Sequence, residues 1–171
     1  MLPYPLHPAV VHFPVVLAFL LPLFVLGAFW MIRRGANARR AWILPVGCTV
    51  ALSVSSWAAV RTGDGQSERV ERVVSEQAIE SHEELAEAFL AASAVVAIMG
   101  FVGLAPGLPG RVGRLVTGIG SLVLVGFVVP VGHSGGQLVY RYGAASAYTT
   151  HTGISSGEVA QPEADRNKRA R

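Results

Sequence analysis

The chemistry this sequence can offer is concentrated in its histidines. His7, His12, His82 and His133 each border an apolar run, while His151 lies apart in a polar tail. A neutral imidazole carries one ring N–H and one lone pair. It can therefore ligate haem iron, zinc or copper, shuttle a proton near neutral pH, or bond an exposed carbonyl. His7 and His12 bracket the stretch HPAVVHFP. Five residues at about 100° each set them roughly 140° apart on a helix, so they would not share one face. His7 can still fold back from the segment LPYPL before it. His82 is followed by Glu83, Glu84 and Glu87, and His133 lies in GHSGGQLVYRYG beside Gly132, Gly135 and Gly136. No HExxH, CxxC, CxxCH or GxSxG occurs, so neither a hydrolase nor a covalently attached c-type haem has support. GHSGG lacks the GK[ST] ending of a phosphate loop.

Long apolar segments must position these residues. From Pro8 to Ile32 there is no Asp, Glu, Lys or Arg, and at about 1.5 Å per residue that length crosses a hydrocarbon layer of about 30 Å with some tilt. Three more segments of spanning length follow: Ala41 to Val60, Leu85 to Leu104 and Leu115 to His133. With 51% hydrophobic and 15% charged residues and a mean hydropathy of +0.46, the chain belongs to the membrane class rather than to soluble domains. The expected fold is all-α: an integral membrane four-helix bundle over residues 1–143, with a disordered polar C-terminal tail over 144–171. Pro14 and Pro22 each remove a backbone hydrogen bond, which predicts a kink near His12. The first basic residue, Arg33, follows the first apolar run, so a secretory leader is not expected. Cys48 has no partner cysteine within the chain. The basic residues sit in short loops and in the tail, a pattern that topology accounts for without a nucleic-acid partner.

Arg33, Arg34, Arg39 and Arg40 fill the first connection, and Arg111 and Arg114 the third, with no acid in either. The positive-inside tendency puts both in the cytoplasm and both termini on the extracytoplasmic side of an inner (plasma) membrane. Between the second and third spans, Val70, Val73, Val74, Ala78 and Ile79 recur at helical spacing. They predict a short amphipathic helix on the outer surface or extending the third span. Thr49, Ser53, Ser55 and Ser56 suit hydrogen bonds between helices. Glu87 reads as a water-exposed or snorkelled carboxylate, against a ligand or proton-relay role.

This topology gathers His7, His12, His82 and His133 into one outer layer. Two opposed imidazoles there could hold a b-type haem, with His12 and His133 the favoured ligands and His82 the competitor for either place. His7 would then orient a ligand, Gly135 and Gly136 would leave room for the macrocycle edge, and Arg61, Tyr140 and Arg141 would meet its propionates. Alternatively, His12, His82 and His133, with Glu84 or Glu87, surround one zinc or copper ion. In a third reading no cofactor is bound, the histidines satisfy kinked helix ends, and the protein is a membrane partner or scaffold. The lipid bilayer is a partner in every case; a redox or other membrane protein is expected besides.

HPAVVHFP, ESHEELAEAF and GHSGGQLVYRYG together resemble the motifs of the small four-helix membrane proteins called domain of unknown function 2231. The likeness covers about residues 5 to 143. The family pattern matches His7, Pro8, His12, Phe13 and Pro14, then His82, then Gly132, His133, Gly135, Gly136, Leu138, Val139, Tyr140 and Gly143. The resemblance implies a four-span fold, a histidine layer and, through kinship with dihaem cytochrome-like bundles, redox work. Such bundles commonly hold haems towards both membrane faces. The inner half of this chain has no histidine, so the resemblance implies at most one haem, on the outer side.

Overall fold

The computed structural model describes residues 6–148. Four long helices fill that range: α1 (His7–Arg33), α2 (Ala38–Val70), α3 (Glu76–Val102) and α4 (Gly107–Tyr140). Each packs against its neighbours in sequence, and α1 closes the ring on α4, giving an up-down-up-down bundle. Each helix is long and apolar enough to cross a membrane. Only 22% to 39% of each most apolar window is buried inside the bundle. The rest, including Phe13, Leu23, Trp30 and Leu122, faces outward, where lipid is the environment that accepts it. Inside, Leu21, Trp42, Leu52 and Leu124 are fully buried and supply one side chain from each of α1 and α4 and two from α2.

Local sequence explains where the helices begin and end. Gly35, at φ +91°, ends α1: its N–H reaches Ile32 O and that of Ala36 reaches Met31 O, each at 3.0 Å, the paired bonds of a Schellman cap. Two residues later Asn37 accepts from Arg40 N–H and opens α2. The hydrogen-bond ladder of α1 is interrupted at Val11, which keeps helical dihedrals (φ −61°, ψ −21°). Pro14 has no N–H to offer the carbonyl of Val10, so the expected irregularity near His12 is a lost bond. The hydroxyls of Thr49, Ser55 and Ser56 bond carbonyls within α2 itself, not other helices as expected, because the nearest acceptor is one turn away on the same helix.

Two expectations about connections need correction. The stretch between the second and third spans forms no separate helix on the outer surface: α2 runs on to Val70, and the helix that begins at Glu76 extends the third span, the other alternative expected. Of its apolar positions Val73 is exposed, while Val74 and Ile79 are buried with Ala144, and Val70 and Ala78 pack against them. The tail does not begin at residue 144, since Ala144–Tyr148 forms a 3-10 helix against the bundle. The reading of the rest of the tail and of His151 falls outside the described residues. At about 1.5 Å per residue, the 33 residues of α2 extend well past the hydrocarbon layer. The end of the bundle that carries the α2–α3 turn, called the outer end after the orientation expected from the sequence, is therefore a water-facing extension of the spans.

Candidate cofactor site

His7 and His82 meet at that outer end. Their ring centroids are 6.4 Å apart, with planes inclined at 81°. His7 turns inward to α2, where Nδ1 lies 2.9 Å from the carbonyl oxygen of Ala59 and 3.3 Å from Thr62 Oγ1. A carbonyl only accepts, so Nδ1 carries the proton. Thr62 donates its own hydroxyl to a carbonyl of its helix, which leaves its oxygen free to accept. His82 Nδ1 stands 2.8 Å from Ser134 Oγ on α4. Ser134 donates to Val131 O at 2.9 Å and so accepts from His82. Both neutral rings are thereby held with the lone pair on Nε2, the arrangement in which a second partner orients a metal-ligating histidine.

Each ring rests on a glycine. A Cβ built on Gly63 would stand 3.3 Å from His7 Cε1, and one on Gly135 would stand 3.0 Å from His82 Cε1. These glycines allow the imidazoles to lie against the backbones of α2 and α4. The two rings border a cavity of about 380 Å³, within the range of small-molecule sites, roughly 300 to 1,000 Å³. Its walls are largely apolar, from residues such as Val60, Ile79, Ala86 and Leu138, with Gln66, Glu83 and Tyr148 among the polar groups. Glu83 accepts from Ser67 at 2.6 Å, which ties α3 to the extension of α2.

The other sequence candidates lie elsewhere. His12 is exposed, and its Nδ1 bonds Pro8 O within α1 at 2.7 Å. His133 is exposed on α4, with Nε2 3.0 Å from Gln137 Nε2. Successive helical residues turn by about 100°, so Ser134 and Gly135 face His82 while His133 faces a shallow groove with Gly132, Gly136, Tyr140 and Arg141. Arg61 approaches Asp64 at 4.0 Å and lies over Trp57. Arg141 lies over Tyr142, and Tyr140 is 92% exposed. None of these three borders the cavity. Glu84 and Glu87 are exposed. Among the described residues, no three of His, Cys, Asp and Glu converge as a metal site, so His12, His82 and His133 do not form the expected triad. Sequence reasoning missed Ala59, Gly63 and Ser134. The nearest signal was the small residues of TGDG and HSGG, each long enough into its segment to face an outer histidine.

No family model, curated protein or solved structure matches the chain.

Proposed function

We propose that this integral membrane protein binds a b-type haem at its outer end through His7 and His82, and exchanges electrons with a partner on the extracytoplasmic side. The observation that carries the reading is the paired orientation: both imidazoles donate through Nδ1 and keep Nε2 for a ligand. His7 and His82, with ring centroids 6.4 Å apart, would hold the iron through Nε2. The residues fit the group in kind: two neutral nitrogen donors, each seated on a glycine, beside a largely apolar wall. Haem would supply one-electron chemistry there. The chain's own residues bind through Nε2, orient the rings through Ala59 and Ser134, and exclude water with Val60, Ile79 and Leu138. We also assign the chain to the domain of unknown function 2231 family, on the motifs above, and to the cytoplasmic membrane with both termini outside. The arginines of the first connection support that orientation.

The test is a visible spectrum, oxidised and dithionite-reduced, of detergent-purified protein made with haem precursor, with metal analysis of the same sample. The expected result is a Soret band with sharp reduced α and β bands, lost in His7→Ala and His82→Ala and kept in His12→Ala and His133→Ala. Loss in the second pair with retention in the first would overturn the ligand assignment. A colourless wild type would overturn haem, and stoichiometric zinc or copper in it would transfer the pair to a metal ion.

A further inference from the structure

The chain does not leave the bundle after α4. Gly143 adopts φ +72°, a left-handed conformation open to glycine without steric cost, and the 3-10 segment Ala144–Tyr148 turns back over the outer end. Ala144 is buried with Val74 and Ile79. Ala144, Ala145 and Tyr148 form part of the cavity wall. At the far end of the segment Tyr148 Oη donates to Gln66 Oε1 at 2.7 Å, and the Arg69 guanidinium lies over the tyrosine ring at 5.7 Å.

The rest of the wall belongs to the long helices, whose hydrogen-bond ladders are continuous there except at Val11, beyond which His7 lies. The strap is shorter: five residues beyond a glycine turn, with Ala144 in a small apolar cluster at one end and Tyr148 on Gln66 at the other. Segments with few buried apolar contacts open locally at far lower cost than core helices. A hinge residue at one end and a side-chain latch at the other let this one swing without disturbing the bundle.

We propose that Gly143–Tyr148 is a gate over the His7/His82 cavity, pivoting at Gly143 and latched by Tyr148 on Gln66. Exchange of the cavity's occupant is then set by release of the latch. The gate goes beyond the haem reading and holds for any group the imidazoles bind.

The test uses full-length, cofactor-free protein in detergent, with Cys48→Ala as background and Ala86→Cys as a reporter in the cavity wall. A charged maleimide is applied, and the labelling rate is compared among the latched protein, Tyr148→Phe and Gln66→Leu. Ser75→Cys, exposed on the turn between α2 and α3, is the control. The expected result is labelling of Ala86→Cys at least fivefold faster in both latch variants, with the Ser75→Cys rate unchanged. Equal rates at Ala86→Cys, or equal acceleration at Ser75→Cys, would overturn the gate. A colourless wild type counts against haem alone, and unchanged labelling counts against the gate alone.

Discussion

Ser134 and the two ring-bearing glycines do as much for the outer site as the histidines themselves. Ser134→Ala leaves His82 Nδ1–H without the acceptor that now lies at 2.8 Å, a loss of about 1 kcal/mol for a partly buried bond. Denaturant unfolding in detergent should show a shift of that size, and ¹⁵N spectra of labelled histidine should show His82 losing its fixed tautomer. Gly135→Ala acts on the same ring from the other side. Its Cβ would stand 3.0 Å from His82 Cε1, so the ring must move. Haem affinity should fall at least tenfold, with a smaller loss for Gly63→Ala, whose Cβ would stand at 3.3 Å. Titration of haem into the apo variants checks the order, and equal affinities would contradict the seating. The sequence alone showed that histidines cluster at the outer end, but not which ones pair. His133 is adjacent in sequence to the side chain that matters, and one residue turns the direction by about 100°. The angle between His7 and His12 already said that only one of them could face a given partner. What decides for His7 is the extension of α2: Ala59 lies near the end of the apolar run, but Thr62 and Gly63 meet the ring only because α2 continues past Val60.

At the inner end, elements are joined by backbone capping across helices. Trp42 on α2 donates to Gly100 O at 3.1 Å, and Arg114 on α4 donates to Gly103 O. These carbonyls belong to the last turn of α3, where acceptors lack intrahelical donors. Arg114 is 9% exposed, so it serves the bundle and does not act as a free loop charge. Arg114→Met should cost about 1 to 3 kcal/mol by leaving that carbonyl unpaired. Gly113→Ala should cost a similar 1 to 3 kcal/mol through overpacking, since its Cβ would come within 2.5 Å of Gly103 N. Equilibrium unfolding in detergent measures both, and a Gly113→Ala variant as stable as wild type would contradict the close approach of α3 and α4. The four helices were legible because apolar runs of spanning length, three without a charge and the third with Glu87 alone, allow little else. Their ends were not. TGDGQSERV carries two glycines and three charged residues, a composition that reads as a loop, yet it stays helical because it continues an existing helix and needs no new nucleus. GHSGG continues α4 for the same reason.

For the molecule as a whole, orientation decides whether the cavity faces the cytoplasm or the opposite side of the membrane. Charge differs between the two ends: Arg33, Arg34, Arg39, Arg40 and Arg111 lie at one, where Arg114 is taken up by Gly103 O, and mixed charges around Asp64, Glu68, Arg69 and Glu83 lie at the other. Five unopposed arginines at the inner end keep the same sign of bias. The 33 residues of α2 separate the two ends by about 50 Å, so a probe at each end reports unambiguously. Gly35 is unsuitable for a cysteine, because φ +91° strains any side-chain-bearing residue. Ala36 is the better inner site and Ser75 the outer one. In a Cys48→Ala background, a charged maleimide added to spheroplasts should label Ser75→Cys at once and Ala36→Cys only after the membrane is opened. The reverse pattern would turn the cavity, its strap and its histidine pair towards the cytoplasm. It would remove the extracytoplasmic electron partner from the proposed function while leaving His7 and His82 where they are.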